Sequence, residues 1–235
     1  EGRPSLIIAA HYDRFPGSPG ALDNSCACLQ LVEFAGRVRA RGPAAPSILL
    51  AFTDAEEAPA TGGAKGQGAF SLARALRSAS EPSALAAAGA GARRAAPFEV
   101  PPALVLDVTG RGDRLLVSST PARLLARHGL AASRSAAGYR SLVALAGRAA
   151  ARAGLPAPER LPLPWSDDLG LVLGGLAALV VSLLPEPELA SVRSGGRPAT
   201  WDLLHGPEDG PELASEASFD LMARFLDAVA AETAR

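Results

Sequence analysis

Short apolar runs alternate along this chain with longer stretches of helical period. The first run, 6-LIIAA-10, predicts a buried strand, and 15-FPGSPGA-21 a Pro/Gly loop after it. From Asn24 to about Arg41 the spacing predicts a helix, with Cys28, Leu31, Val32, Ala35 and Val38 on its inner side and Gly42-Pro43 as the stop. A second buried strand is predicted over 47–53. A glycine-rich loop with Gly62, Gly63, Gly66 and Gly68 then leads into a helix near 69–79. Further strands are predicted at 103–108 and 114–119, on either side of an Arg111-Gly112-Asp113 segment expected to be a hairpin turn. Helices follow near 121–130 and 136–153, and 176–184 is expected to be a strand, with a helix as the alternative. An amphipathic helix over 211–234 turns Leu213, Ala217, Leu221, Phe225 and Val229 inward.

Strands alternating with helices imply an α/β fold: three layers, α/β/α, around a mostly parallel central sheet. No internal repeat breaks the pattern. We read residues 1–235 as one domain and residues 80–97, rich in Ala, Gly, Ser and Arg, as a surface excursion within it.

Composition narrows the function class. The chain has 235 residues, 48% of them apolar, and a formal charge of −1. That suffices for a sizeable core, and no basic run marks a nucleic-acid or membrane-surface partner. The longest apolar stretch, 169–184, is too short and glycine-interrupted for a membrane span. The two cysteines, Cys26 and Cys28, are one residue apart, so a mutual disulfide is not expected. The chain opens at Glu1 almost directly on a strand, and its natural start is expected to lie upstream. The absence of a signal peptide therefore leaves cytoplasmic, periplasmic and secreted locations open.

The chemistry sits where the apolar runs stop. In open α/β sheets ligands bind beyond the carboxyl ends of the strands. The first run ends in His11 and Asp13, the second in 54-DAEE-57, the third in Asp107, and Asp23 opens the first long helix. Carboxylates gathered in a partly buried cleft repel one another, and divalent cations remove that cost. Imidazole plus carboxylate suits zinc, with cobalt or manganese as alternatives, and a pair of cations is well served by a bridging carboxylate. The chain has only two other histidines, His128 inside a predicted helix and His205 in a Gly/Pro loop. One of the two would complete the set.

These residues resemble the co-catalytic di-zinc aminopeptidases of peptidase family M28, from about Ser5 to the C-terminal helix. His11-Tyr12-Asp13 matches that family's HxD motif, and Gly20-Ala21-Leu22-Asp23-Asn24-Ser25 its GAxDN segment. Glu56-Glu57 matches its paired glutamates, and Asp107 in 106-LDVTG-110 its aspartate followed by glycine. Ser166-Asp167 with Gly175 resembles its SDH…GxP segment, and 205-HGPED-209 its HTPxD loop. The resemblance implies the phosphorylase/hydrolase-like exopeptidase fold, two zinc ions and a peptide or aminoacyl substrate. His11 and Asp107 would hold one ion, Glu57 and His205 the other, and Asp23 would bridge. Asp13 would orient His11, and Glu56 would act as general base toward a metal-bound water. Asp168 stands where the family usually has histidine, Leu171 where it has phenylalanine, and the loop after Glu57 departs from the family's GLxGS.

A second reading keeps the fold. The 26-CACLQLVEFA-35 helix and the Asp167-Asp168 doublet resemble the single-zinc glutaminyl cyclases, which form N-terminal pyroglutamate. Asn24, Ser166 and Leu204 favour the peptidase. A third reading is an inactive binding module on the same fold, against which the intact Glu56 and ligand set argue.

Overall fold

The computed structural model of the chain describes residues 4–42, 45–57, 63–80 and 100–234. The excursion expected at 80–97 lies outside the described residues except for Ser80, and so does 58–62 of the loop after Glu57.

Six strands form one sheet: β1 (Leu6–His11), β2 (Ile48–Thr53), β3 (Ala103–Leu106), β4 (Arg114–Ser118), β5 (Glu159–Leu161) and β6 (Ala178–Leu184), in the order β2-β1-β3-β6-β4-β5. The run β2-β1-β3-β6 is parallel throughout; β4 lies antiparallel to β6, and β5 parallel to β4. β1, β3 and β6 are buried along their whole length, as strands covered on both faces must be, and so read as unbroken apolar runs.

The principal helices are α1 (Cys26–Ala40), α2 (Gly68–Ser80), α3 (Thr120–Arg127), α4 (Arg134–Arg152), α5 (Asp167–Leu173), α6 (Leu189–Arg193), α7 (Ala199–Leu203) and α8 (Glu216–Thr233). Two apolar layers result. On one face Phe34 of α1, Leu142 and Ala146 of α4, and Met222, Phe225 and Val229 of α8 pack on Leu6, Ile8, Leu104 and Val181. On the other, Ala69 and Ala73 of α2, Leu171 of α5 and Leu189 of α6 pack on Ile7, Val105 and Val180. This is the three-layer α/β/α architecture that the alternation of elements implied. No helix among the described residues is long and apolar enough to cross a membrane.

Three local expectations change. The Arg111-Gly112-Asp113 turn joins strands that are not neighbours, because β6 lies between β3 and β4. It is a tight crossover pinned to the end of β6: Gly112 has φ 124°, and a Cβ there would stand 2.3 Å from the Leu184 carbonyl carbon. The inner face of α1 keeps Leu31, Cys28 and Val38 against the core but differs at its edges. Ala27, Gln30, Leu31 and Phe34 face in, and Val32 is exposed. Gln30 can be buried because its amide Nε2 donates to Thr109 O (3.0 Å) and its Oε1 accepts from Thr109 Oγ1 (2.5 Å). Finally, α8 begins at Glu216. Leu221, Phe225 and Val229 point inward as expected, whereas Leu213 precedes the helix and Ala217 is exposed.

Candidate metal centre and active site

The carboxyl end of β1 delivers His11 into the interior, where Asp23, Asp107 and Asp13 meet it. His11 Nε2 lies 3.1 Å from Asp23 Oδ1 and 3.7 Å from Asp107 Oδ1. The other carboxylate oxygen of Asp23 lies 3.2 Å from His205 Nε2, which is also 3.2 Å from Glu57 Oε2. Two donor triads result, His11–Asp23–Asp107 and Asp23–Glu57–His205, each with its ligand atoms within 4.8 Å of one another and with Asp23 common to both. A third group, His11–Glu56–Glu57, overlaps them. The structure thus brings together His11, Asp13, Asp23, Glu56, Glu57, Asp107 and His205. His128 stands apart, exposed at the end of α3.

Backbone anchors hold the cluster in place. Asp23 follows Gly20 in a short helical turn that ends at α1, and its peptide bond to Asn24 is cis. Asn24 ties this turn to β3: its Nδ2 donates to Leu106 O (2.8 Å) and its Oδ1 accepts from Val108 N–H (3.3 Å). Asp209 clamps the same turn from the His205 loop, its carboxylate accepting from Leu22 N–H (2.7 Å) and Asp23 N–H (3.3 Å). Asp13 does the same for the paired glutamates, accepting from the N–H groups of Glu56 (3.3 Å) and Glu57 (3.0 Å). Toward His11 its carboxylate stands at 3.5 Å, and the nearer contact of the ring Nδ1 is to the Asp13 carbonyl, at 3.2 Å. The His205 ring stacks on Phe15, centroids 4.9 Å apart. Among the described residues, three non-glycine residues have left-handed φ: Ala55 (54°), just before Glu56; Val108 (51°), just after Asp107; and His205 itself (66°). Such backbone is costly for a β-branched residue such as Val108, and it concentrates at sites the surroundings over-determine.

Electrostatics describe a site under strain without a cation. Burial would drive the His11 ring toward neutrality, but Asp107, Asp13 and Asp23 outweigh it and raise its pKa strongly. Burial likewise opposes ionisation of Asp23, yet His11 and His205 pull it well below the usual carboxylate range. Burial, with Asp107 beside it, pushes Glu56 up to about 9; burial and the Asp23 charge push Glu57 up to about 8. Glu57 Oε1 and Asp107 Oδ1 are buried without a hydrogen-bond partner. Orphaned carboxylate oxygens of this kind call for an ion or a proton. One imidazole and shared carboxylates on each side are the donor chemistry of zinc, cobalt or manganese, so the residues present fit such ions.

Behind the cluster lies a second acidic pair that sequence reading placed only by motif. Asp167 and Asp168, at the head of α5, are fully buried. Asp167 Oδ2 accepts from Thr53 Oγ1, and Asp168 Oδ1 from Ser166 N–H (3.0 Å), while Asp168 Oδ2 has no partner. Burial, with Asp107 adding to it, pushes Asp168 up to about 8. A carboxyl raised in the folded state stabilises fully below its unfolded pKa, near 3.8, and that contribution is lost as pH rises through about 8. In metal-free protein, Asp168→Asn is therefore expected to flatten the loss of stability between about pH 4 and 8. Urea unfolding at both ends of that range measures it, and equal slopes for wild type and variant would show that Asp168 ionises in the ordinary way.

A pocket of about 220 Å³ opens on the cluster. Asp23, Glu56, Glu57, Asp107 and His205 form one end. Val108, Leu163, Val180, Leu204 and the two tryptophans, Trp165 and Trp201, form the apolar walls. Both tryptophans are half-buried pocket wall.

Comparisons with known proteins bear on the fold and on the N-terminal sequence signature. The sequence model of peptidase family M28 matches residues 1–86, the segment carrying His11, Asp13, Asp23, Glu56 and Glu57. No curated protein sequence matches the chain. Among solved structures, the LapA aminopeptidase of Legionella pneumophila superposes with TM-score 0.67 at 16% identity, covering 99% of this chain and 50% of that one. BSAP, a zinc aminopeptidase from Bacillus subtilis, gives 0.62 at 17%, covering 96% of this chain and 45% of that one. The glutaminyl cyclase of Porphyromonas gingivalis gives 0.64 at 15%, covering 98% of this chain and 71% of that one. The chain thus spans about half the length of these aminopeptidases. Its N-terminal third carries the sequence signature of peptidase family M28, and its α/β fold is the one shared by that family's zinc aminopeptidases and by glutaminyl cyclases.

Proposed function

We propose that the chain is a zinc-dependent aminopeptidase, cleaving the first peptide bond of substrates with a free N-terminus. The observation that carries this reading is the double contact of Asp23, one carboxylate oxygen toward His11 and the other toward His205, at the centre of two donor triads. His11 and Asp107 would hold one zinc, Glu57 and His205 the other, and Asp23 would be shared. By formal count, −3 from three carboxylates against +4 from two ions leaves the site electropositive. When bound, the ions would polarise the scissile carbonyl and make a water more acidic.

The remaining work falls to the chain's own side chains. Glu56 lies in the pocket wall, outside both triads that share Asp23. Its carboxylate would accept the proton of the attacking water and return it to the leaving amine. Its elevated pKa belongs to the metal-free cluster, and cationic charge nearby would bring it down toward the working pH. Asp13 fixes the Glu56 and Glu57 backbone, and so the aim of both carboxylates. The aromatic walls would take an apolar N-terminal side chain and keep water from the reacting bond.

Metal analysis of purified protein, followed by assays on free and N-acylated aminoacyl reporters and on a glutaminyl peptide, tests this reading. Close to two zinc equivalents with cleavage of the free reporters alone is the expected result. One firm equivalent with pyroglutamate formation would make the protein a cyclase. Zinc with neither activity would make it a binding module.

A further inference from the structure

The pocket is electrically lopsided. Four carboxyl groups and His205 line it, and so does one cationic side chain that is always charged, the exposed Arg197. Arg197 is held from three directions. Its carbonyl accepts from Ser191 Oγ (2.8 Å), its Nε lies 2.8 Å from Asp202 Oδ1, and its Nη2 donates to the carbonyl of Trp201, itself a pocket wall. The segment that carries it is docked as well: the Glu188 carboxylate accepts from Thr200 N–H (2.7 Å) and Thr200 Oγ1 (3.1 Å) at the start of α7. Nη1 has no protein partner among the described residues. An exposed Arg–Asp pair adds little to stability, so fold stability alone does not account for this placement.

We propose that Arg197 anchors the free C-terminal carboxylate of a short peptide, so that the site takes di- and tripeptides in preference to longer chains. The proposal rests on the peptidase reading of the same site. A zwitterionic dipeptide offers this lining both of its charges, its ammonium to the carboxylates and its carboxylate to the guanidinium. An extended chain advances only about 3.3–3.6 Å per residue, so each added residue carries the terminal carboxylate farther past Arg197. The pocket, at about 220 Å³, is smaller than the roughly 300–1,000 Å³ of sites that enclose drug-sized ligands. A guanidinium fixed through Nε and Nη2 still offers Nη1 to an incoming carboxylate oxygen.

Binding can be read without turnover, because both tryptophans of the chain line this pocket and report its occupancy by fluorescence. Suitable probes are Phe-Ala with the peptide bond reduced to a methylene-amine, its C-terminal amide, the corresponding Phe-Asp amide, and a five-residue analogue both as free acid and as C-terminal amide. All are titrated into zinc-supplemented wild type, Arg197→Met and Arg197→Lys. The free acid is expected to bind wild type roughly tenfold more tightly than the amide, the scale of one charge-assisted hydrogen bond. That ratio should fall to about one in Arg197→Met, recover in part in Arg197→Lys, and vanish for the five-residue analogue. A ratio near one in wild type, or a ratio unchanged in Arg197→Met, overturns the proposal. A Phe-Asp amide that gains as much through Arg197 as the free acid does overturns the short-peptide claim, because the carboxylate recognised then belongs to the second side chain. Peptide cleavage with a ratio near one sinks this inference alone. A tenfold ratio in a protein that cleaves no peptide sinks the aminopeptidase reading and leaves Arg197 as a carboxylate receptor.

Discussion

Glu56→Gln lowers turnover of a free-N-terminus aminoacyl substrate by about 10²–10⁴-fold, the usual worth of a positioned general base, while the protein keeps its zinc. The substitution preserves shape and removes the one property the proposed role needs, a carboxylate able to take and return a proton. Position supports the separation of activity from metal content. Glu56 lines the pocket but belongs to neither of the two triads joined through Asp23. Its backbone is held by Asp13, so the neighbouring Glu57 should stay in place when the Glu56 side chain changes. The overlapping group His11–Glu56–Glu57 makes the test sharp, because the same residue could instead be a ligand. Single-turnover kinetics beside metal analysis decide between the two: zinc lost together with activity would move Glu56 from base to ligand.

Much of this site was legible in sequence because the sheet itself gathers it. His11, Glu57 and Asp107 each follow an apolar run, and strands laid parallel bring such ends to one rim. Asp23 was legible as the opening of a helix, and His205 through the resemblance of its 205-HGPED-209 loop to the family's HTPxD motif. The supports were harder to see. Asn24 and Asp209 were quoted within motifs without a role, because what they do is satisfy backbone groups of the Asp23 turn, Asp209 from a segment 186 residues away. Nothing local to either residue signals such a partner. The same holds for the edges of the inner face of α1. Leu31 and Phe34 mark a face, but whether Gln30 or Val32 joins it depends on Thr109, which offers the buried amide both a donor and an acceptor. The three-residue β5 and the placement of β6 between β3 and β4 come from long-range pairing, so a turn signal alone read as a hairpin. Arg197 carried no motif at all, and only its position in the pocket lining singles it out.

Stripping the metal with a strong chelator is expected to lower the melting temperature by roughly 8–16 °C. Zinc held at about a thousand times its dissociation constant stabilises by about 4.1 kcal/mol, and a chain of this size gains roughly 2–4 °C per kcal/mol. The physical origin is the metal-free cluster, in which buried carboxyl groups face one another with too few partners. The effect should grow with pH. Glu57 and Glu56, raised to about 8 and 9, give the metal-free fold a contribution that is complete below about 4.5 and lost as pH rises through those values. His11 and His205, raised from 6.5, act in the same direction, their contribution present at low pH and lost as pH climbs. Asp13 and Asp23, lowered, contribute above about 3.8 and lose that only in acid, so they do not offset the trend between pH 5 and 8. Zinc replaces the bound protons, so the gap between chelated and loaded melting curves should widen steadily over that interval. Asp23→Asn, which weakens the carboxylate common to both triads, should bring the two curves nearly together. Calorimetry of wild type and variant at pH 5 and pH 8 measures all three effects. A wild-type melting temperature that ignores the chelator at both pH values would mean that the acidic cluster holds no structural ion, and that its carboxyl groups are kept in place by protons and backbone alone.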